Sequence, residues 1–429
     1  MYKAYKYRIY PNKEQQTKMN QFFGCCRFVY NKCIEWYSNA YKSWKENGTD
    51  IGKTPLLTEF KKEYEFLKDC DNAALAYSRS NFERAIRDFI KSKNGKRKGK
   101  RLGFPKFKSK HKSKEIYKTC DTHGTIRFID DKHIKLPKIG LVKCIKHRDF
   151  DGNIKAVSVE RKPSGKFYIS VMVECNENTV VKVKKNDNIN NFNVVGLDMS
   201  LSNFVVSSHD EDNTIIKYVR NYRRNEKRLS RLQRRYSKKE DNSRNKTKSK
   251  CKIAVLHEKV ANQRKDFVNK TALYFARKYD VIVLEDINLQ NMSRTLHLGK
   301  SVNDLGFGMF RTILSQKCYE YSSLLVYADK WYPSSKTCSS CGAVNNELKL
   351  SDREWVCTEC GSYHNRDLNA AINLENYFFK NYNTVGTTGI NAYGDTTSTI
   401  GDITPIASCV NEVGSTLFRG GVVHLDILY

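Results

Sequence analysis

The chain has 429 residues, enough for two or three domains with their own cores. Lys and Arg number 76 against 46 acidic residues, and a net charge of +30 points to a polyanionic partner rather than a small neutral metabolite. No apolar run approaches the ~18 residues of a membrane span, the N-terminus has no apolar signal core, and the 14 cysteines are scattered, which argues against a membrane protein or a disulfide framework.

Residues 2–10 (YKAYKYRIY) alternate as a strand does, and Pro11-Asn12 end them. Met19, Phe22, Phe23, Cys26, Val29, Tyr30, Cys33, Ile34 and Tyr37 then recur at steps of three and four, a core-facing helical stripe. Thr54-Pro55 is a helix-start signal, and helices are expected over about 56–67 and 75–91. From 93 to 114 half of the residues are Lys or Arg, with Phe104 and Phe107 among them. Basic side chains pair with phosphates while interleaved aromatics stack on bases. A solvated linker accounts for 93–100 equally well, whereas Lys106, Phe107 and Lys108 are read as nucleic-acid contacts.

Residues 115–175 change to strand periodicity, with the tight turn of a hairpin at Pro163-Ser164-Gly165. With the first strand they predict a small β-barrel (1–11 and 115–183) into which a helical domain (12–114) is inserted, and an Asn-rich linker, 184–193, ends this half.

The run VVGLDMSLSNFVV reads as strand, acid, bend and strand, with Asp198 at the tip of a buried strand. A long basic helix is expected over 218–252, with Leu229, Leu232 and Tyr236 on one side. Arg223, Arg224, Lys227, Arg228, Arg231, Arg234 and Arg235 cover the others; few acids balance them, which favours phosphate contact over a merely solvated face. A further helix, 253–278, crosses over to the strand DVIVLE, which ends in Glu285. A helix over 310–325 then leads to the short strand LLVYADKWY. Residues 384–429 are rich in Gly, Thr and Ser and are expected to form a flexible tail.

Two Cys-x-x-Cys pairs, Cys338/Cys341 and Cys357/Cys360, flank a 15-residue spacer, the spacing of a four-cysteine zinc ribbon. Each pair is followed by Gly, which permits a tight turn around one ion. Ordinary buried cysteines or a disulfide are the competing explanations. Just beyond, Asp367 opens the helical run DLNAAINLEN, where a plain N-cap is its simplest role. Asp198 and Glu285, however, end strands separated by crossovers long enough for an α/β sheet, and Asp367 would complete a set of three. Hard oxygen ligands with no His or Cys beside the first two favour Mg²⁺ or Mn²⁺. Three carboxylates can hold two such ions ~4 Å apart for phosphodiester hydrolysis. Asp286, expected on the opposite side of its strand, and Asp352, in the ribbon spacer, rank lower.

In order along the chain, GFPKFKSK, VVGLDMS, VIVLEDINL, WYPSSKTCSSCG, CTECG and NRDLNAAINL, with RIYPNKEQ near the start, resemble the TnpB family of transposon-encoded RNA-guided nucleases, relatives of type V CRISPR effectors. The resemblance implies an RNase H-like (RuvC) domain over 191–383, carrying a zinc ribbon insert at 332–366 and Asp198, Glu285 and Asp367 as ligands of catalytic metal. It also implies that the barrel is a wedge domain and the inserted helices a recognition domain. Together these would bind a guide RNA from the transposon end and a short motif in target double-stranded DNA, in the cytoplasm of a prokaryotic cell. Two other functions stay open: a non-catalytic RNA-guided regulator, and a transposase acting without a guide.

Overall fold

The computed structural model describes residues 2–121, 124–175, 192–209, 215–218, 220–287, 304–349 and 351–382. Most of the expected linker and all of the expected tail lie outside them. The chain divides into two compact units, 1–177 and 178–429. No helix among the described residues is long and apolar enough to cross a membrane.

In the first unit, strand β1 (Tyr2–Tyr10) runs into helix α1 (Lys13–Asn47). Asn12 and Gln15 form a reciprocal capping box at the start of α1. The helix expected over 56–67 is instead α2 (Leu57–Glu63) and a 3-10 turn (Glu65–Asp69), because Tyr64 between them is extended. Helix α3 (Asn72–Lys93) starts where the Asp71 carboxylate accepts from the Ala74 amide. Strands β2 (Glu115–Cys120), β3 (Arg127–Asp130), β4 (His133–Leu136), β5 (Gly140–Ile145), β6 (Asn153–Arg161) and β7 (Phe167–Glu174) complete a seven-stranded sheet in the order β2-β6-β7-β1-β5-β4-β3. The expected barrel is thus an antiparallel sheet whose edge strands β2 and β3 are not paired to each other among the described residues. The first strand sits near the middle of it, so the chain leaves the sheet after β1 to build three helices and returns at β2. Helices and sheet share one core: Phe22 and Phe23 of α1 meet Tyr117 of β2 at ring distances of 5.4 and 5.7 Å.

The second unit holds β8 (Val194–Asp198), β9 (Val205–Ser207), β10 (Ile215–Ile216), β11 (Val281–Glu285) and β12 (Leu324–Ala328), in the order β10-β9-β8-β11-β12. Strands β8, β11 and β12 are parallel, while β9 and β10 turn back antiparallel. The basic helix expected over 218–252 is broken into α4 (Asn221–Ser237) and α5 (Arg244–Lys278). Asn242 takes a left-handed conformation, and the Ser243 hydroxyl then caps α5 by accepting from Lys246. Helices α6 (Phe307–Tyr321) and α7 (Arg366–Tyr382) complete the unit, together with a hairpin of β13 (Glu354–Val356) and β14 (Tyr363–Asn365).

Side chains alternate across the sheet. Val195, Leu197, Ile282 and Leu284 enter a core with Phe275 of α5 and Phe310 and Leu314 of α6. Val194, Val281, Val283 and Val326 point the other way, onto Leu374 and Phe378 of α7. The sheet is therefore covered on both faces, as its near-continuous apolar strands require.

Candidate active site and metal centre

The alternation that sorts the core also places the acids. Asp198 follows Val194 and Gly196 by steps of two, and Glu285 follows Val281 and Val283. Both therefore belong to the α7 face. Leu197 is in register with Leu284, so the next residues, Asp198 and Glu285, end neighbouring parallel strands side by side. Asp286, one residue on, belongs to the opposite face and is held by Arg311 at 2.8 Å. Asp352 stays in the ribbon, accepting from the Lys349 amide and the Ser351 hydroxyl.

Asp367 is not the cap of α7. The Asn365 side chain takes that role, accepting from the Leu368 amide at 3.3 Å. Asp367, in the first helical turn, is left to face the strand ends: its Oδ2 accepts from the Ser200 hydroxyl at 2.8 Å, and its Oδ1 lies 3.5 Å from the Arg353 guanidinium. What lets α7 come so close to β8 is Gly196. A Cβ there would stand 1.9 Å from the Ala371 carbonyl oxygen and 2.6 Å from the Glu375 amide nitrogen.

Burial, then the charges of Asp367 and Glu285, push Asp198 up to about 8 from its ordinary 3.8, against the pull of Arg366 and Arg353. Burial raises Glu285 as well, with Arg366 opposing. Carboxylates whose ionised forms are so disfavoured are suited to a cation that joins them. The donors are hard oxygens, which fits Mg²⁺ or Mn²⁺. Ser200, Gly196 and Arg353 were not anticipated from sequence. Each acts through a contact between distant segments, which no local pattern announces.

The sulfurs of Cys338, Cys341, Cys357 and Cys360 all lie within 4.8 Å of one another. The contacts Cys338–Cys360 and Cys341–Cys357 measure 3.7 and 3.6 Å, far beyond the ~2 Å of a disulfide. The two knuckles repeat one geometry. Gly342 donates to the Cys338 carbonyl and Gly361 to that of Cys357, each at 2.9 Å, and both glycines take the left-handed conformation that a side chain would strain. Four thiolates around one point are a donor set for tetrahedral zinc. His364, buried against Trp355, brings Nε2 to 3.0 Å from the Cys338 sulfur.

The residues read as nucleic-acid contacts are placed unequally. Arg223, Arg224, Lys227, Arg231 and Arg234 are all exposed on α4, while Leu229 is buried. Lys106 is exposed and Phe107 is 62% exposed. Lys108 differs: its backbone is gripped at both ends by the Asn31 carboxamide, and its ammonium sits 3.5 Å from the centre of the Tyr30 ring. It anchors the segment that displays Phe107.

Three family models match the chain: "Cas12f1-like, TNB domain" over 307–374, "Probable transposase" over 170–296, and "Helix-turn-helix domain" over 1–46. The last range folds here as a strand and one continuous helix. A protein of Streptomyces pristinaespiralis named "Putative RNA-guided DNA endonuclease" is 30% identical over 374 residues, covering 87% of this chain and 88% of its own. "Putative RNA-guided DNA endonuclease InsQ" of Escherichia coli K12 is 29% identical, covering 86% and 91%. A "TnpB-like protein L770" of Acanthamoeba polyphaga mimivirus is 27% identical, covering 86% and 72%. Among solved structures, a Cas12f1-sgRNA-target DNA complex aligns with a TM-score of 0.50 at 14% identity, over 87% of this chain and 98% of that one, a likeness of fold.

Proposed function

Because the chain belongs to the TnpB family of transposon-encoded RNA-guided DNA endonucleases, we propose that Asp198, Glu285 and Asp367 hold Mg²⁺ or Mn²⁺ and cut target DNA beside a short adjacent motif. A guide RNA from the transposon end would direct the cut, with base pairing reading the sequence and the protein reading duplex shape and the motif. The observation that carries this reading is the convergence of three acids from separate segments on one edge of the sheet, where burial disfavours the charge of Asp198 and Glu285 until a cation joins them. Two ions bound there would supply an activated water and stabilise the leaving 3′ oxygen.

The chain's own residues do the rest. Ser200 orients Asp367 by its hydrogen bond, leaving the other carboxylate oxygen toward Arg353. Arg353, largely exposed, can exchange that carboxylate for a phosphate oxygen when substrate enters, adding positive charge where negative charge develops. The Arg353→Ala variant is expected to cut roughly 100-fold more slowly with guide affinity unchanged, as read by single-turnover cleavage with saturating guide.

In the same reading the first unit is the wedge and recognition module for guide and motif, the four cysteines hold structural zinc, and α4 follows a phosphate backbone. Each phosphate neutralised steepens the salt dependence of log affinity by ~0.7–0.9. Replacing Arg231 and Arg234 together by Ala should therefore flatten that slope by ~1.5, measured by filter binding across a salt series. An unchanged slope would remove α4 from the interface.

The deciding experiment is to purify the protein from cells expressing its native locus, sequence the RNA that co-purifies, and present the complex with a plasmid library and Mg²⁺. A discrete RNA ending in a variable guide, with cuts beside one short motif, is the expected result. Bound RNA without cutting in any divalent metal would make the protein a regulator; joined transposon ends without RNA would make it a conventional transposase.

A further inference from the structure

Helix α7 carries Asp367 in its first turn and two buried asparagines that face the first cysteine knuckle. Asn369, 1% exposed, uses both ends of its carboxamide: Nδ2 donates to the Thr337 carbonyl at 2.7 Å, and Oδ1 accepts from the Ser339 amide at 2.9 Å. Residues 337 and 339 flank Cys338, so one side chain brackets one thiolate. Asn373, one turn along and 2% exposed, donates to the carbonyls of Ser334 at 2.8 Å and Thr337 at 2.6 Å. Its own carbonyl accepts from the Tyr332 hydroxyl at 3.1 Å. The Arg366 amide donates to the Arg353 carbonyl at 2.9 Å, tying the helix start to the hairpin as well. Leu374 and Phe378 already dock the rest of α7 on the sheet by apolar burial, so this buried polar ladder adds direction rather than adhesion.

We propose that Asn369 and Asn373 are positioning residues that register α7 on the first knuckle, so that the metal held by the four thiolates sets where Asp367 stands relative to Asp198 and Glu285. Without that metal four crowded thiols have nothing to hold them together, and the knuckle loop between Ser334 and Ala343 loses its shape. The amide and carbonyls that the ladder needs move with it. The first turn of α7 then keeps its Ser200–Asp367 hydrogen bond but loses the hold of the knuckle, and the close contact at Gly196 grips the helix only further along, at Ala371 and Glu375. The zinc ribbon and the acidic site are thus mechanically one element. The proposal rests on the nuclease reading only for its catalytic-metal readout.

The test uses the full chain in four forms: wild type, wild type stripped of zinc by a thiol-specific mercurial, Asn369→Ala and Asn373→Ala. Hydrogen exchange reads the first turn of α7, electron paramagnetic resonance reads Mn²⁺ binding at the acids, and a colorimetric chelator counts zinc. Asn369→Ala is expected to keep one zinc per chain, to lose at least tenfold protection over 366–370, and to bind Mn²⁺ at least tenfold more weakly. Zinc removal from the wild type should do the same without touching any acid. Unchanged exchange and Mn²⁺ affinity in the stripped protein would overturn the proposal, and that arm decides it even if the variants fail to fold. Mn²⁺ binding that is the same in wild type and in Asp198→Ala would instead count against the nuclease reading, while the exchange data would still decide the register.

Discussion

Asp198→Asn is expected to abolish cleavage, by at least 1,000-fold, and at the same time to make the magnesium-free protein harder to melt. The first effect follows from removing a ligand of the proposed catalytic metal. The second follows from linkage. Folded Asp198 titrates near 8, well above its ordinary 3.8, so the fold favours the neutral acid. Stability tied to that neutral form is fully present below the unfolded value and is lost progressively as pH rises through about 8. The wild type therefore carries a penalty at neutral pH that the neutral amide does not. A full pKa unit corresponds to ~1.4 kcal/mol. Because Asp198 remains partly open to solvent, only a fraction of the shift should appear, on the order of 2 kcal/mol and several degrees in Tm. Melting curves of both proteins from pH 4 to 9 would check it. The gap should be near zero at the acid end and widen toward pH 8; a constant gap would refute the linkage, and retained cutting would refute the nuclease reading.

Gly196→Ala should be nearly as damaging without removing any chemical group. The added methyl would press on the carbonyl of Ala371 and the amide of Glu375, both backbone, so no side chain can swing aside. Helix α7 must lift or β8 must bend. Overpacking of this kind costs roughly 1–3 kcal/mol, and a shift of ~1 Å at a reacting group costs about 100-fold in rate. The expected result is a lower Tm, weaker Mn²⁺ binding and cleavage down at least 100-fold. Gly24→Ala is the control: it lies in α1, where nothing stands within 4 Å of the new methyl, and it should be neutral or slightly stabilising. Equal behaviour of the two variants would show that close approach at Gly196 is not what seats Asp367.

That Asp198 and Glu285 end strands, and that the four cysteines gather, could be read from the chain because those signals are local. Two apolar strands each end in an acid, and strand alternation alone separates Glu285 from Asp286, which the structure gives to Arg311. Cysteine spacing behaves the same way. The split of the long basic helix was not anticipated, although the basic run stops at Lys239 and Glu240, Asp241, Asn242 and Ser243 follow; the break rests on one left-handed Asn and one Ser cap. Lys108 looked like its neighbours until Asn31 and Tyr30 claimed it. Gly196, Ser200, Arg353 and the paired asparagines matter only through partners far away in sequence, and an ordinary Gly, Ser, Arg or Asn carries no mark of that.

The third acid arrives on the last described helix, and Ser200 and Asp367, which bond to each other, are 167 residues apart. Contacts this distant form late, because the intervening chain must be ordered before they repay its closure. During synthesis the first unit can fold while the second is still being made. Strands β8 and β11 can then pair, yet a nascent chain that has not released α7 from the ribosome holds two acids and no third. In the proposed reading, a nascent chain therefore lacks its third metal ligand until residues 366–382 have emerged and docked.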